Sequence, residues 1–182
     1  MTPLQQKTCC FTGHRSVPPE ISAAILKRAE TVIRRLYDRG YRYFGVGGAV
    51  GFDSQIAQLL FRLRKNVFQD IRVILVYPFE GYTKLWTAEQ QWDHRQSLAL
   101  YDKTVCVSDT PGRETYLARN RHLVNGSSVC VCYCVDESSG TGYTVRYARE
   151  KGLEIINLAQ NPYIKKRDPK GSLFLRAEGK SR

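Results

Sequence analysis

Three glycine-containing turns are the residues of this chain whose types and spacing suggest chemistry. They are Thr12-Gly13-His14-Arg15, the run from Gly47 to Asp53, and the run from Ser139 to Thr144. Glycine lets the backbone turn sharply and lets a ligand approach it without meeting a Cβ. A helix that begins just after such a turn presents unpaired N–H groups and a positive dipole end, which favour phosphate. Together the three turns predict one nucleotide-sized pocket.

The second turn excludes two common nucleotide-binding classes. Gly47-Gly48-Ala49-Val50-Gly51 is not a GxGxxG fingerprint, and it lacks the Lys-Ser/Thr pair of a Walker A loop. Neither a dinucleotide-binding dehydrogenase nor a P-loop NTPase is therefore indicated. Asp53 falls in the first turn of the helix that should follow. Two interpretations of it stay open: it accepts hydrogen bonds from ribose hydroxyls, or it interacts favourably with the helix dipole.

A pair of arginines supplies the candidate positive charge. Arg119 and Arg121 are two residues apart in a helical pattern, so they point about 200 degrees apart and cannot both face one pocket. One of them could clamp a phosphate with its planar guanidinium, while the other would lie outward or pair with an acid. The alternative, that both are solvated helix residues, stays open.

Strand and helix signals alternate along the chain, and they must position these turns. The predicted strands are Thr8–Thr12, Tyr41–Val46, Ile71–Tyr77, Thr104–Val107, Ser128–Cys134 and Leu153–Leu158. Helical periodicity fills the intervals, with the last helix expected over Tyr143–Lys151. Repeated βα units predict an α/β fold, with a mostly parallel sheet and helices on both faces. Ligands in such sheets bind at the carboxyl ends of the strands, where all three glycine turns fall.

The length and charge predict one domain with a basic tail. The chain has 182 residues and a net charge of +11, and residues 163–182 contain seven Lys or Arg and two Asp or Glu. We expect a domain over residues 1–160 and a flexible tail over residues 161–182. This tail is either a weak nucleic-acid contact or a solvated end. With no apolar run of 18 residues and no signal-peptide core, we expect no membrane span and a cytoplasmic location.

The six cysteines predict no metal site. Cys130, Cys132 and Cys134 alternate along one apolar run, so they should share one face of a strand as small buried hydrophobes. No CxxC pair occurs, and the three histidines form no ligand pattern. We expect neither a metal nor another cofactor. Of the two tryptophans, Trp92 is expected in the core, whereas Trp86 is either a core residue or a surface for stacking a base.

The motifs together resemble the YpsA family of the SLOG superfamily. Cys10-Phe11-Thr12-Gly13-His14-Arg15 is similar to that family's first motif, and the run from Gly45 to Asp53 is similar to its second. Trp86, Arg119-Asn120-Arg121 and Ser139–Thr144 look like its later motifs. The resemblance covers roughly residues 7–158. It implies a Rossmann-like fold and a site for a nucleotide or a nucleotide-derived ligand.

The same superfamily includes cytokinin-activating phosphoribohydrolases, whose pattern this chain follows only in part. In those enzymes a helix carries an arginine-lysine pair, and a GGxGT turn is followed closely by a catalytic glutamate. Here Arg119 or Arg121 matches the arginine and Ser139–Thr144 matches the turn, but Val145-Arg146-Tyr147 follows it. N-glycosidic cleavage needs a carboxylate near the sugar. Asp53, and after it Asp136, are the remaining catalytic candidates.

Our leading hypothesis is a protein that senses or sequesters a nucleoside phosphate, an ADP-ribose or an NAD-related metabolite. The alternatives are a nucleotide N-glycosidic hydrolase and a single-stranded nucleic-acid binder, the latter suggested by the superfamily member DprA. A homo-oligomer stays open. The candidate ligand-binding residues are Gly13, His14, Arg15, Gly47, Gly48, Gly51, Asp53, Arg119, Arg121, Ser139, Gly140, Thr141, Gly142 and Thr144.

Overall fold

Strands and helices alternate in the computed structural model, which describes residues 1–159. Along the chain the elements are β1 (Thr8–Gly13), α1 (Pro19–Asp38), β2 (Tyr43–Val46), α2 (Phe52–Asn66), β3 (Arg72–Tyr77), α3 (Ala88–Leu98), β4 (Lys103–Cys106), α4 (Arg113–Asn125), β5 (Val129–Tyr133), α5 (Gly140–Glu150) and β6 (Glu154–Asn157). The predicted alternation is confirmed. Several boundaries differ from the prediction by one or two residues, and the largest difference is at α5, which begins at Gly140 rather than Tyr143 because Ser139 caps it.

The six strands of residues 1–159 are all parallel, in the spatial order β4-β3-β2-β1-β5-β6. Residue Cys10 of central strand β1 is paired with Gly45 of β2 on one side and with Cys130 of β5 on the other. Successive strands β1 to β4 build the sheet in one direction, and β5 then returns to the far side of β1. The carboxyl ends therefore share one edge, and the three glycine turns follow β1, β2 and β5.

Side chains alternate between the two faces of this sheet and form two cores. Cys9 and Phe11 pack with α1 and α2 on one face, whereas Cys10 packs with α4 and α5 on the other. This three-layer α/β arrangement confirms the predicted fold class. Parallel sheets are typically covered on both faces in this way.

The cysteine alternation is confirmed. Cys130, Cys132 and Cys134 lie buried on the same face as Cys10. Burial raises the pKa of the Cys132 thiol to about 12, so it stays protonated and unreactive at neutral pH. These residues behave as small apolar side chains.

Helix α3 does not pack like the others, and it corrects one prediction. Trp92 of α3 is 56% exposed, so the expectation that it lies in the core was wrong. The physical reason is that Ser97 is the buried residue of α3, and it meets α2 through a hydrogen bond from Gln58 Nε2 at 2.9 Å. The helix is held by a polar contact that leaves Trp92 outside.

No helix within residues 1–159 combines the length and the apolar character needed to cross a bilayer. The predicted basic tail, residues 161–182, lies outside the described residues. Its role in nucleic-acid contact therefore stays a prediction.

Candidate functional site

The second glycine turn is crowded by the protein's own side chains. Arg119 Nη1 donates a hydrogen bond to the Gly47 carbonyl. A Cβ on Gly47 would lie 1.9 Å from Arg119 Nη1 and 2.7 Å from Asp53 Oδ2. Gly48 has a φ of +64° and Gly51 a φ of +82°, conformations that favour glycine. The glycines of this turn let the loop close over a charged pair.

That pair is formed by Asp53 and Arg119, which α2 and α4 bring together. Asp53 Oδ2 is 3.7 Å from Arg119 Nη1, and the two side chains are only 8% and 9% exposed. Asp53 Oδ2 also accepts from the Ala49 N–H at 3.4 Å. Within residues 1–159, Asp53 Oδ1 and Arg119 Nε are buried and have no hydrogen-bond partner. The pair therefore contacts the loop, while one polar atom of each side chain stays buried beneath it without a hydrogen bond.

Burial dominates the electrostatics of this pair. It raises the pKa of the Asp53 carboxyl, although Arg119 and the backbone N–H groups of the loop act in the opposite direction. It likewise lowers the pKa of Arg119, against the attraction of Asp53. The free energy needed to remove two charges from water exceeds their mutual attraction, unless further hydrogen bonds satisfy the remaining polar atoms of both groups.

The second arginine of the motif lies elsewhere. Arg121 Nη1 donates to the Tyr143 hydroxyl at 3.0 Å, on the outer side of α4 and α5. The prediction that the two arginines cannot face one pocket is confirmed. Arg119 belongs to the loop after β2, and Arg121 does not.

His14 joins the turns that follow β1, β2 and β5. Its carbonyl accepts from the Phe52 N–H at 3.2 Å, and its Nε2 accepts from the Val135 N–H at 3.0 Å. The backbone of Arg15 packs against Gly51, where a Cβ would lie 2.1 Å from the Arg15 carbonyl oxygen. These contacts bridge the crevice between β1 and β5, where the strand order reverses.

The third turn is organised by its own hydrogen bonds. Ser139 Oγ accepts from the Gly142 N–H at 3.1 Å and so caps α5. Thr144 Oγ1 donates to the Gly140 carbonyl at 3.1 Å and accepts from Asn120 Nδ2 at 2.8 Å. Thr141 and Thr144 are buried. In this conformation the hydroxyls of Ser139 and Thr144 stabilise the turn and the contact between α4 and α5.

The glycines of the first and third turns are needed mainly for close packing. A Cβ on Gly13 would lie 2.4 Å from the Phe52 ring, and one on Gly142 would lie 2.1 Å from the Glu137 carbonyl oxygen. Gly140 is the exception, because a Cβ there would meet no atom of residues 1–159 within 4 Å. Of these three glycines, Gly140 alone borders open space.

The space at this edge of the sheet lies between α2 and α3. A cleft of about 520 Å³, here called the α2–α3 cleft, is lined by the second turn, by α2, by α3 and by two aromatic residues. Its lining includes Gly48, Val50, Gly51, Ser54, Gln55, Gln58, Trp86, Gln90, Asp93, His94, Ser97 and Tyr101. Among the described residues, no Lys or Arg lines it.

A small void continues from the cleft toward the arginines. This void of about 10 Å³, here called the Arg119 void, is bordered by Arg15, Gly47 and Arg119. Trp86 and Val50 line both spaces. The exposed Arg15 guanidinium lies 5.8 Å from the centroid of the Tyr116 ring. Positive charge therefore stands at one end of a cleft that has none along its own walls.

An aromatic group joins α3 to the second turn. The Tyr82 hydroxyl lies 3.1 Å from His94 Nε2 and donates to the Gly48 carbonyl at 3.3 Å. Trp86 packs edge-on against both rings, with centroids 5.5 Å from each. Burial lowers the pKa of His94, so the ring is neutral at pH 7. Trp86 is the tryptophan that borders the cleft.

The predicted site residues are thus brought only partly together. Gly48 and Gly51 line the cleft, and Arg15, Gly47 and Arg119 line the void. The other candidates line neither space: Gly13, His14, Asp53, Arg121, Ser139, Gly140, Thr141, Gly142 and Thr144. Sequence reasoning expected the helix but missed that α3 forms a wall of the cleft, because its polar contact with α2 leaves no periodic signal. The cluster of aromatic residues after β3 was the available clue.

No group of three or more His, Cys, Asp or Glu side chains within residues 1–159 is placed to hold a metal ion.

Three comparisons, two of sequence and one of structure, relate this chain to known proteins. A sequence model of the YspA SLOG family matches residues 9–157. The UPF0398 protein ABC2016 of Shouchella clausii is 26% identical over 85 residues, which cover 47% of this chain and 45% of that protein. The chain thus matches less than half the length of this relative. The SPbeta prophage-derived protein YoqJ of Bacillus subtilis, described as uncharacterized, is 26% identical over 67% of this chain and 78% of its own length.

A likeness of fold links the chain to a solved structure. DNA processing protein A from Helicobacter pylori superimposes with a TM-score of 0.58 at 17% sequence identity. The match covers 83% of this chain and 64% of that one. At this identity the likeness extends to the arrangement of strands and helices.

Proposed function

This chain belongs to the YspA SLOG family, and on that premise we propose that it binds a nucleotide or nucleotide-derived ligand in the α2–α3 cleft. The observation that carries the proposal is the position of the cleft. It has a volume of about 520 Å³ and lies at the first turn of α2, with Arg15 and Arg119 at one end. Pockets of about 300–1,000 Å³ are typical of small-molecule sites.

The two ends of the cleft suit the two ends of a nucleotide. Phosphate would lie toward the exposed Arg15 guanidinium and the first turn of α2, where helix dipole and side chain both favour an anion. The uncharged base and sugar would lie between α2 and α3, against the ring of Trp86. In this arrangement the Asp53–Arg119 pair holds the shape of the loop and does not itself contact the ligand.

The two carboxylates considered for catalysis favour sensing or sequestration over turnover. Asp136, one of the two carboxylates considered for catalysis, accepts hydrogen bonds from the Ser138 backbone N–H and hydroxyl at 2.9 and 2.7 Å. Asp53, the other, is buried against Arg119. Neither carboxylate lines the cleft.

Single-stranded DNA binding is the second candidate, because the fold neighbour from Helicobacter pylori binds single-stranded DNA. The charge distribution argues for a small ligand instead. A groove that follows a polynucleotide backbone needs cations along its length. The described lining of the α2–α3 cleft contains no Lys or Arg, and its positive charge is confined to one end.

The salt dependence of DNA binding distinguishes the two candidates. We expect the 182-residue chain to bind single-stranded DNA weakly, and log affinity should fall with log salt concentration by a slope of about −0.7 per phosphate contact. Removal of residues 165–182 should flatten that slope and leave nucleotide binding unchanged. Tight DNA binding that survives both truncation and physiological salt would favour the second candidate.

The proposed function is tested by identifying the ligand directly. Small molecules released on denaturing the purified protein are identified by mass spectrometry. Nucleoside monophosphates, ADP-ribose and NAD are then titrated by calorimetry. We expect Arg15→Ala to lower the affinity for phosphate-bearing ligands by about tenfold or more, because charge-assisted hydrogen bonds are stronger than those between neutral groups. Arg149→Ala, in the last turn of α5, is the matched control and should have no effect. Absence of binding by every nucleotide tested would overturn the proposal.

A further inference from the structure

A histidine ties the loop that follows β5 to the turn that follows β1. Val135 of the loop donates its backbone N–H to His14 Nε2 at 3.0 Å, a hydrogen bond here called the His14 latch. The latch spans the crevice between β1 and β5, where the strand order reverses. In open α/β sheets such crevices are where ligands bind. The state of the latch therefore decides whether this crevice is covered.

The loop is anchored at both of its ends, and the latch holds its middle. At one end Asn157 Nδ2 donates to the Cys134 carbonyl at 2.8 Å, and the Cys134 N–H donates to Asn157 Oδ1 at 3.2 Å. At the other end Arg146 Nη1 of α5 donates to the Glu137 carbonyl. Val135 lies between these anchors, and its side chain is 67% exposed. Loss of the latch would release the middle of the loop and leave its ends in place.

The latch requires a neutral imidazole. A backbone N–H can only donate, so His14 Nε2 must carry no proton when it accepts from Val135. In the protonated ring both nitrogens are donors. Protonation therefore removes the hydrogen bond and sets a positive charge against a backbone donor. Histidine is the side chain whose charge ordinarily changes between pH 5 and 8, and His14 is half-buried, so protons from solvent reach it.

Asp136 gives the protonated ring an alternative partner. It follows Val135 in the loop, and its pKa is lowered first by hydrogen bonds from Ser138 and to a smaller extent by the positive charge of His14. The carboxylate and the imidazolium therefore attract each other. Protonation of His14 exchanges the contact with the Val135 N–H for attraction to this neighbouring acid.

The other groups around His14 do not provide a competing acid. Tyr133 of β5 faces the imidazole edge-on, with ring centroids 5.7 Å apart. From α2 the contact is the N–H of Phe52, which donates to the His14 carbonyl at 3.2 Å. Arg15 is the next residue of the same turn, but its guanidinium lies over the ring of Tyr116 in α4.

We propose that the His14 latch is a pH-sensitive closure of the crevice between β1 and β5. With neutral His14 the loop is held across the crevice. With protonated His14 the middle of the loop is released, and the ring pairs with Asp136. His14 does not line the α2–α3 cleft, so this inference goes beyond the proposed function and does not depend on it.

Hydrogen exchange of single backbone amides tests the latch. The protection of the Val135 amide is measured by NMR from pH 5 to pH 8, after correction for the intrinsic pH dependence of exchange. We expect it to fall by about tenfold from pH 8 to pH 5, because one hydrogen bond contributes roughly that factor. The reference is the amide of Gly152, just past the end of α5, which donates to the Arg149 carbonyl at 3.0 Å and should keep its protection.

Two substitutions of His14 separate the titration from the hydrogen bond. His14→Gln keeps an acceptor, Oε1, that does not titrate, so the protection of Val135 should stay high across the pH range. His14→Ala has no acceptor, and Val135 should be weakly protected at every pH. His122→Gln, in the last turn of α4, is the matched control and should keep the wild-type pH dependence.

Three outcomes would overturn the proposal. The first is wild-type protection at Val135 that does not change between pH 5 and pH 8. The second is a loss of protection that persists in His14→Gln, which would assign the titration to another group. The third is a parallel loss at Gly152, which would show that the domain loosens as a whole rather than at the latch.

Discussion

Asp53 Oδ2 and Arg119 Nη1 lie 3.7 Å apart beneath the loop that follows β2, and more than nine-tenths of each side chain is buried. Asp53 comes from the first turn of α2, and Arg119 comes from the middle of α4. Arg119 also donates to the carbonyl of Gly47, so the pair joins two helices and one turn at the edge of the site. The loop that borders the cleft depends on this contact.

Removing one charge of the pair should destabilise the fold. Arg119→Met leaves a buried carboxylate without its partner, and we expect it to lower the free energy of unfolding by about 3–5 kcal/mol. The double variant with Asp53→Asn should recover most of that loss, because it leaves no buried charge. Urea unfolding measures both, and Arg121→Met is the matched control, with an expected change within about 0.5 kcal/mol. A double variant no more stable than Arg119→Met would contradict this account.

The pH dependence of stability should show that burial dominates at Asp53. Its folded pKa is raised above the ordinary 3.8, so its contribution to stability is present below that pH and lost as pH rises through the folded pKa. Asp53→Asn cannot titrate, so over a pH series that starts below 3.8 the stability difference between variant and wild type should shift in favour of the variant as pH rises. Urea unfolding across this range measures the difference.

Asp136→Asn is the control with the opposite sign. Hydrogen bonds from Ser138 lower the pKa of Asp136, so its contribution is lost only as pH falls below the ordinary value. The stability difference between Asp136→Asn and the wild type should therefore change at the acid end of the pH range. If Asp53→Asn instead lost stability relative to the wild type as pH rose, attraction to Arg119 would outweigh burial.

Two glycines of the third turn should respond differently to alanine. At Gly142 a Cβ would lie 2.1 Å from the Glu137 carbonyl oxygen, so Gly142→Ala must displace backbone and should cost about 1–3 kcal/mol. At Gly140 a Cβ meets nothing within 4 Å, so Gly140→Ala should be neutral or stabilising by up to about 1 kcal/mol. Thermal unfolding compares the two. Equal changes in stability would contradict the claim that crowding by the Glu137 backbone requires glycine at position 142.

The sequence was sufficient to predict the parallel sheet and the edge at which its turns meet. Apolar strand runs alternate with helical periodicity, and only parallel βα units fit that alternation. It also predicted that Arg119 and Arg121 diverge, since helix geometry fixes their directions. It could not show what crowds each glycine. Gly13 meets Phe52, a contact between residues far apart in sequence. The approach of α3 to α2 includes a polar contact, Gln58 to Ser97, which has no periodic signature.

Cleavage of an N-glycosidic bond should be absent or slow. Of the two candidate carboxylates, Asp53 is buried against Arg119 and Asp136 is held by Ser138, so neither is placed beside a ligand in the cleft. Nucleoside monophosphates, NAD and ADP-ribose are incubated with the protein and analysed by chromatography. Rapid release of free base that disappears in Asp53→Asn would instead establish a hydrolase and identify Asp53 as a catalytic residue.

Tryptophan fluorescence tests the central claim, that a nucleotide occupies the α2–α3 cleft. The chain has two tryptophans, of which Trp86 lines the cleft and Trp92 is exposed on α3 outside its lining. Trp92→Phe leaves Trp86 as the reporter, and its emission should change saturably with nucleotide, at the affinity that calorimetry gives. Trp86→Phe leaves Trp92, whose emission should stay constant. A saturable signal from Trp92 alone, or calorimetric binding that leaves Trp86 silent, would contradict the assignment of the ligand to this cleft.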